Sequence, residues 1–369
     1  MTRKNILFFI SHQPNPRFIK QINFLAKNNN IFLLYFHRDY MKDLSSEYKS
    51  VCIFSKSIAN LSNGNYVQRI FQYFKSIQII RNILKNRKID IVLVNNFDVL
   101  LLFKTARIFE NQGEKIVIEI SDLLPHHFTK GIKSSVLQLV ENLSFKLINK
   151  LIVTSPKFYE LYYKKIFFDE YFILENKPLS NMIPIKVEKN KNEKTVIGIV
   201  GLLLQGEPYK TLFETVKNNN KFEVHIYGKG PYQSLVESYA EKYANIKFFG
   251  EYNFFKDSSK IYSSLDLIYM PYNTKDVNQA FNNKIALPNK LYEAMYFEVP
   301  IITSDETYVG EIVENYGIGI SIKCCDKVKL LKSLETINID SYKENFKLLN
   351  PNLYLADNDY VKLEEYLCL

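Results

Sequence analysis

The feature that most constrains this chain is a regular alternation between short apolar runs and longer amphipathic segments. In the first half, the runs typical of buried strands are NILFFIS, IFLLYFH, SVCIF, IDIVLVN, KIVIEIS, KLIVTS and EYFILEN. Segments with helical periodicity lie between them, most clearly at residues 17–27, 66–85 and 134–149. Strands that alternate with helices favour right-handed crossovers and a mainly parallel, doubly wound sheet.

A second series of the same kind follows a break at residues 179–194, whose charged and asparagine-rich sequence predicts a linker. Beyond it the predicted strands are TVIGIVG, FEVHIYG, NIKFFG, LDLIYMP, VPIITS and GIGISI. We therefore expect an α/β protein of two Rossmann-like, doubly wound domains, residues 1–178 and 195–355, that face a central cleft. Residues 356–369 are expected to form a tail or helix that packs back toward the first domain.

The composition is that of a globular protein. With 369 residues, of which 47% are hydrophobic, the chain is long enough for two domains and has no apolar run that would span a bilayer. The first apolar run ends in His12, Gln13 and Pro14 without a small-residue cleavage site, which predicts a strand rather than a signal peptide. The four cysteines lack zinc-ligand spacing and are expected to be reduced. These features predict a cytoplasmic protein, with peripheral attachment to the inner face of the cell membrane left open.

The formal net charge of +9 indicates anionic partners, which include phosphorylated substrates, an anionic membrane surface and nucleic acid. The chain has no RRM, KH or zinc-finger signature and its basic residues are scattered, which argues against nucleic acid. The segment at residues 66–88 combines an apolar face with the basic residues Arg69, Lys75, Arg81, Lys85, Arg87 and Lys88. It is either a helix that lies on an anionic membrane or one that packs on the sheet with a solvated basic face.

The stretch LPNKLYEAM, residues 287–295, is a candidate anion site. It predicts a helix with Asn289 and Lys290 in its first turn, where a cation is unfavourable for the bare helix and an anionic ligand would relieve the conflict. Glu293 follows about one turn later and can accept hydrogen bonds from ribose hydroxyls. The alternative is an exposed pair of Lys290 and Glu293, which would contribute a few tenths of a kcal/mol.

Two glycine-containing turns are weaker candidates for phosphate binding. Gly201 and Gly206 lie in a loop between a predicted strand and a helix, where backbone N–H groups can hold phosphate oxygens and Lys210 can add a charge. Gly228, Lys229 and Gly230 end another strand in a tight turn, which lets a second group approach the backbone closely. Both are also consistent with ordinary strand–helix turns.

These motifs follow one another in an order that resembles the donor-binding domain of family 4 glycosyltransferases, which have the GT-B fold. The segments that carry the resemblance are YGKGP, IKFFGEY, YSSLDLIYMPYN, LPNKLYEAMYFEVPIITSD and EIVENYGIGISI, and in the first half NPRFIKQINFLAKNNNIFLLYF, KIVIEISDL and FILENKP. The resemblance implies transfer of a sugar, without a metal or other cofactor, from a nucleotide-sugar donor to a saccharide or lipid-linked saccharide acceptor. It also implies retention of configuration and a role in surface polysaccharide synthesis, such as capsule or lipopolysaccharide.

The same resemblance implies roles for individual residues. Glu293 matches the glutamate that holds the nucleotide ribose, and Asn289 and Lys290 match a Pro-Asn-Lys next to the diphosphate. Gly201 would let the diphosphate approach, and residues 226–230 would flank the base.

The chain departs from the family pattern at two positions. Ile285 stands where a second glutamate is expected, so Asn282, Asn283 or Lys284 would have to replace it. Ser121 stands where many members have a histidine near the sugar, and Asp122, His126 or His127 would take over that role, with Asp122 preferred. Gln205 stands near an expected basic residue, which leaves Lys210 as the candidate for the diphosphate.

His12 and Arg17 follow the first strand and are predicted acceptor-side contacts, although a buried or solvated His12 fits the sequence equally well. The Asp357–Asp359 segment mimics a metal-binding DxD motif without its structural context, and no metal site is predicted. An epimerase or phosphorylase on the same scaffold and a non-catalytic family member remain as alternatives.

Overall fold

The computed structural model describes residues 2–39, 41–61, 66–85, 87–108, 113–188, 193–275 and 280–369. The chain divides into two compact units. The N-terminal unit consists of Met1–Glu175 together with Asn358–Leu369, and the C-terminal unit of Asn176–Asp357.

The N-terminal unit is built on a seven-stranded sheet whose paired strands are all parallel, in the order β3-β2-β1-β4-β5-β6-β7. Its strands are β1 (Asn5–Ile10), β2 (Asn30–His37), β3 (Phe54–Asn60), β4 (Ile91–Val94), β5 (Lys115–Ile120), β6 (Lys150–Val153) and β7 (Tyr171–Ile173). The inner strands are buried along almost their whole length, as expected for a parallel sheet covered on both faces. The prediction of the third strand at SVCIF is wrong in position, because Lys49–Val51 forms a 3-10 turn and pairing with β2 begins at Phe54.

The helices of this unit are α1 (Pro16–Leu25), α2 (Tyr66–Leu84), α3 (Phe97–Ala106), α4 (Ile132–Phe145) and α5 (Pro156–Leu161). The start of α1 is fixed by sequence, because the Asn15 side chain accepts hydrogen bonds from the N–H groups of Arg17 and Phe18 and Pro16 occupies the first helical position. Right-handed crossovers place α1 on one face of the sheet and α2, α3 and α4 on the other, where α3 packs between α2 and α4.

The C-terminal unit has a six-stranded parallel sheet in the order β10-β9-β8-β11-β12-β13. Its strands are β8 (Thr195–Val200), β9 (Phe222–Tyr227), β10 (Ile246–Gly250), β11 (Leu267–Met270), β12 (Ile301–Ser304) and β13 (Gly319–Ile322). The predicted fold class of two Rossmann-like, doubly wound α/β domains is therefore confirmed.

Helices cover both faces of this second sheet and enclose two apolar cores. They are α6 (Gly206–Val216), α7 (Gln233–Lys242), α8 (Phe254–Ser263), α9 (Ala280–Ile285), α10 (Asn289–Phe297), α11 (Tyr308–Asn315), α12 (Lys327–Thr336) and α13 (Ile339–Lys347). A last helix, α14 (Asp357–Cys368), begins at the end of this unit and continues into the N-terminal one. None of the described helices combines the length and the apolar character needed to cross a lipid bilayer.

Candidate functional site

The C-terminal sheet changes its winding direction between β8 and β11, which are neighbours in the sheet but not consecutive in the chain. Doubly wound sheets bind ligands outside the carboxyl ends of their strands at such a point. Gly201 follows β8 there, and the loop at residues 271–275 follows β11. The candidate donor site is therefore built around these two strand ends.

Lys290 and Gly201 lie side by side at this position. Gly201 has a φ of +101°, and a Cβ added to it would lie 3.9 Å from Cε and 4.0 Å from Nζ of Lys290. Lys290 is half-buried in the first turn of α10, and burial lowers the pKa of its ammonium group to about 8, against the opposing charge of Glu293. A poorly solvated cation beside an unobstructed glycine is a position that an anion would stabilise.

The glycine turn after β9 packs against the loop after β8. Gly228 has a φ of +140°, and a Cβ there would lie 1.8 Å from the carbonyl oxygen of Gly201, so only glycine fits. Gly230 lies against the backbone of Leu203, whose N–H donates to the carbonyl of Lys229 at 2.9 Å. The close approach predicted for this turn is thus made by the neighbouring loop, which fixes Gly201 in place.

Glu293 is buried on the inner side of α10 with 3% of its surface exposed. Its Oε1 accepts a hydrogen bond from Asn289 Nδ2 at 2.7 Å, and its Oε2 accepts one from the Tyr262 hydroxyl at 2.8 Å. Burial and the Glu293 charge raise the pKa of Tyr262 well above its ordinary value. This burial excludes the alternative of an exposed pair and shows that the carboxylate orients Asn289, one residue before Lys290.

The loop after β11 is held by amide side chains. The N–H of Asn273 donates to Gln205 Oε1 at 2.9 Å, and Asn283 Nδ2 donates to the carbonyl of Asn273 at 3.0 Å. Gln205 is thereby a structural support at the start of α6. Ile285, at the end of α9, is 6% exposed, so the position expected to carry a second glutamate belongs to the core. Of the suggested substitutes, Asn283 binds the loop, Asn282 is half-buried and Lys284 is exposed.

The other predicted basic contacts are well solvated. Lys210 is exposed on α6, about one turn beyond the start of the helix. Lys229 is exposed and its Nζ lies 2.8 Å from a carboxylate oxygen of Glu251. Since solvated surface cations gain little from a further partner, Lys290 is the stronger candidate for holding a diphosphate.

In the N-terminal unit the winding reverses between β1 and β4, and polar residues follow both strands. Asn95 Oδ1 accepts from the N–H of Ser11 at 2.9 Å, and Asn95 and Asn96 both donate to Ser11 Oγ. His12 Nδ1 lies 2.7 Å from the carbonyl of Gln13, which can only accept, so Nδ1 carries the proton. His12 Nε2 is then unprotonated in the neutral ring and faces Asn95 Nδ2 at 3.3 Å.

Ser121 and Asp122 follow β5, the strand next to β4. The Ser121 carbonyl accepts from Thr154 Oγ1 at 2.8 Å, and the Ser121 residue is half-buried while Asp122 is exposed. Both therefore lie at the same edge of the sheet as His12. The asparagines at this edge were missed by sequence reasoning, because an Asn-Asn pair after a strand is also ordinary turn chemistry.

His126 and His127 lie in a different environment, around the buried carboxylate of Glu141. Oε2 of Glu141 is 3.2 Å from His126 Nε2 and 2.8 Å from His127 Nε2, and the hydroxyl of Tyr163 donates to Oε1 at 3.1 Å. Burial alone would raise the pKa of Glu141, but the bonds from both histidines outweigh it and lower the pKa to about 2. Burial lowers the pKa of His127, with Glu141 opposing.

These three residues bring their ligand atoms within 4.8 Å of one another, which is compatible in distance with a metal site. The hydrogen bonds argue against one. His127 Nδ1 accepts the N–H of Leu124 at 2.9 Å, so its proton lies on Nε2, where a metal would need a lone pair. The cluster is a hydrogen-bonded network in which both nitrogens of His127 are engaged, and the predicted sugar-side role of His127 finds no support in this geometry.

Arg17 is also engaged inside the unit. Its Nε lies 2.5 Å from Glu119 Oε1, and its Nη2 donates to the carbonyl of Leu174 at 2.8 Å. Glu119 is fully buried and Arg17 is 8% exposed. Because a buried ion pair of this kind is costly to break, the geometry favours a structural role for Arg17 over the predicted acceptor contact. Asp357, the first residue of the segment that mimics a DxD motif, is also engaged in the structure. Its carboxylate accepts hydrogen bonds from the N–H and the hydroxyl of Ser180.

Comparison with known proteins assigns a class to this arrangement. Residues 183–347 match the family model described as glycosyl transferases group 1, which covers most of the unit that carries Lys290 and Gly201. This match lies within the C-terminal unit and supports the prediction of a glycosyltransferase. Among curated proteins, none matches the chain by sequence.

Similar solved structures show the fold along the whole chain. The lipopolysaccharide outer core galactosyltransferase WaaB is 15% identical with a TM-score of 0.67, over 99% of this chain and 100% of that one. Sucrose-phosphate synthase from Thermosynechococcus elongatus is 12% identical with a TM-score of 0.70, over 99% and 98%. Anabaena HepE, solved with UDP-glucose, is 14% identical with a TM-score of 0.66, over 98% of each chain. At such low identity these likenesses show the fold alone, and the GT-B fold is confirmed.

Proposed function

We propose that the C-terminal unit binds the diphosphate of a nucleotide-sugar donor between Gly201 and the first turn of α10. The chain then transfers the sugar to a saccharide or lipid-linked saccharide acceptor. The observation that carries the proposal is the half-buried Lys290 ammonium group, whose Nζ would lie 4.0 Å from a Cβ added to Gly201 and whose pKa is lowered to about 8. HepE, a protein of the same fold, is solved with UDP-glucose, which makes a UDP-sugar the first donor to test.

The chemistry follows from the leaving group. When the bond between the anomeric carbon and the diphosphate oxygen breaks, negative charge accumulates on the diphosphate. A fixed, poorly solvated ammonium group interacts more strongly with that developing charge than with the ground state. Asn289, held by Glu293, can donate to the donor or shape the turn that presents Lys290. Glu293, whose carboxylate accepts hydrogen bonds from Tyr262 and Asn289, is the candidate for the ribose contact that the sequence predicts.

On the acceptor side, we propose that His12 accepts the proton of the attacking hydroxyl or orients it. In the tautomer set by the Gln13 carbonyl, its Nε2 accepts from Asn95 Nδ2 at 3.3 Å and would exchange that donor for the hydroxyl. Ser121 and Asp122 follow β5 at the same edge of the sheet and are the further candidates for the sugar-side contacts predicted from the sequence.

The finer features of the proposal are retention of the anomeric configuration, independence of metal ions and a role in surface polysaccharide synthesis. The lipopolysaccharide outer core galactosyltransferase WaaB has the same fold, which supports the last of these features.

A panel of UDP-, GDP- and CMP-sugars tests the proposal. Titration calorimetry is expected to show saturable binding of one nucleotide class, and binding and transfer are expected to persist in EDTA. Proton NMR of the product then gives the anomeric configuration. Absence of saturable binding to every nucleotide in the panel would overturn the donor site, and release of free sugar with every acceptor class would overturn the transfer step.

A further inference from the structure

Helix α4 of the N-terminal unit turns polar side chains toward the protein and apolar side chains toward solvent. Its inward residues include Glu141 and Ser144, each 1% exposed. Its outward residues are apolar, with Ile132 87%, Val136 52%, Leu139 58% and Leu143 52% exposed. A helix that packs on a sheet ordinarily buries its apolar face.

The four outward residues, which we call the α4 stripe, form one continuous face. Ile132, Val136, Leu139 and Leu143 are spaced by four, three and four residues, which places their side chains above one another on an α-helix. Leu147, just beyond the helix, is also exposed. Contiguous exposed apolar surface of this kind marks an interaction site more often than isolated apolar residues do.

Polar contacts hold α4 to the unit without using the stripe. Glu141 lies on the opposite side of the helix and binds His126, His127 and the hydroxyl of Tyr163. Gln138 Nε2 donates to the carbonyl of His126. Because these bonds fix the inner face, the whole outer face of the helix is left for a partner.

The charges around the stripe have one sign. Lys133 and Lys146 are exposed within and just after the helix, and Lys130 is exposed shortly before it. The one carboxylate in the sequence of α4 is Glu141, which is buried. The outer face of α4 therefore presents apolar side chains flanked by positive charge, without a negative group of its own.

A neighbouring helix extends this surface. Ile70, Phe71 and Phe74 of α2 are 56%, 58% and 68% exposed, and Lys75 lies over the Phe71 ring at 4.5 Å. Since α3 packs between α2 and α4, the two apolar faces belong to one layer of helices. The described part of α2 thus exposes these apolar side chains together with Lys75 and, just beyond its last residue, Lys85, so its outer face is both apolar and basic.

We propose that the α4 stripe, with α2 beside it, lies in the plane of an anionic lipid bilayer. Exposed apolar side chains flanked by lysines are complementary to acyl chains beneath anionic headgroups. The proposal rests on the proposed function in one respect: the membrane would be the surface that presents a lipid-linked acceptor to the enzyme. Vesicle binding is measured independently of nucleotide binding, so either can fail alone.

Vesicle flotation with the full chain tests the proposal. Vesicles of phosphatidylcholine alone are compared with vesicles that contain about equal parts of phosphatidylglycerol. The wild-type chain is expected to float with the anionic vesicles and to be released by high salt. The double variant Leu139→Gln/Leu143→Gln is expected to bind at least about tenfold more weakly, and Lys133→Gln/Lys146→Gln about fivefold more weakly for each lysine removed.

Matched controls come from the C-terminal unit. Val328 and Leu348 are 80% and 84% exposed, so Val328→Gln/Leu348→Gln removes as much exposed apolar surface elsewhere. Lys329→Gln/Lys332→Gln removes the same charge from exposed positions of α12. Both controls are expected to bind vesicles as the wild type does.

Three results would overturn the proposal: equal binding by the stripe variant and the wild type, equal binding to neutral and anionic vesicles, and a lipid-free dimer that the stripe variant abolishes. The last would identify a second copy of the chain as the occupant. Nucleotide titration of the same preparations without lipid shows whether the donor site is intact, which keeps the two hypotheses apart.

Discussion

Replacing Lys290 by methionine separates a ligand-binding lysine from a structural one, because the two roles change stability in opposite directions. An ordinary lysine has a pKa of 10.5, and burial lowers that of Lys290 to about 8. Keeping its charge in the unliganded protein therefore costs on the order of 3 kcal/mol. Between pH 8 and 10.5 the unfolded chain binds this proton and the folded one does not, so stability rises across that window and the full cost is present below pH 8.

At pH 7, Lys290→Met is expected to raise the free energy of unfolding by about 1–3 kcal/mol, since methionine fills similar space without the charge. The same change is expected to weaken nucleotide binding by about 1.5–3 kcal/mol, which is roughly 10- to 100-fold. Wild-type affinity is also expected to fall as the pH rises above about 8, where Lys290 loses its proton, and that dependence is absent from the variant.

Urea denaturation at pH 7 and pH 10, together with calorimetric titration of the nucleotide-sugar selected from the panel, measures both quantities. Lys210→Met serves as the control, because Lys210 is exposed and neither quantity is expected to change. A Lys290→Met protein that is less stable and binds the nucleotide as tightly as the wild type would refute the reasoning. Loss of affinity in Lys210→Met alone would move the diphosphate contact to α6.

Three further results are expected. Glu293→Ala should lower the free energy of unfolding by about 3 kcal/mol in urea denaturation, because it leaves the buried Tyr262 hydroxyl without its acceptor. Glu293→Gln should lower the free energy of unfolding by less. Equal and negligible changes in both variants would contradict the burial argument. Gly228→Ala should destabilise by about 2 kcal/mol or more in the same assay and weaken nucleotide binding, since its Cβ would meet the Gly201 carbonyl at 1.8 Å; a neutral effect on both would argue against the fixed turn. Thermal stability, followed by circular dichroism, should decrease as the pH falls below about 6.5, because the unfolded chain protonates His127 before the folded one does. It should decrease again from about pH 4.5 toward 2, where the unfolded chain protonates Glu141 first. A melting temperature that does not change with pH would show that the two residues do not couple protonation to folding.

The pattern of the sequence predicted the elements of the fold well and their surroundings less well. Parallel strands buried on both faces appear as short apolar runs, and both sheets follow those runs except at β3. That strand lies at the edge of the sheet, where a largely polar sequence can still pair with its neighbour. Val51 and Ile53 are apolar but exposed, so the apolar pattern places the strand too early in the sequence.

The candidate site was predicted by residue type and position, and its geometry was not. The order of motifs pointed to Lys290 and Gly201, whereas nothing in the sequence indicated that Tyr262 would hold Glu293 or that Asn95 would face His12. Tyrosine in an amphipathic helix and asparagine after a strand are common without any functional role, so their partners become visible only when distant segments are brought together.

The sequence by itself determined that this chain forms two doubly wound α/β units and that a cation begins a helix at the edge of the second sheet. Periodicity and capping are local properties, so they can be read without knowing what lies across the fold. Only the tertiary structure decided that Lys290 lies beside Gly201, that Arg17 pairs with Glu119, and that α4 turns its carboxylate inward and its leucines outward. Burial depends on contacts between residues far apart in the chain, and it is burial that sets the charge state of Lys290 and leaves the α4 stripe exposed.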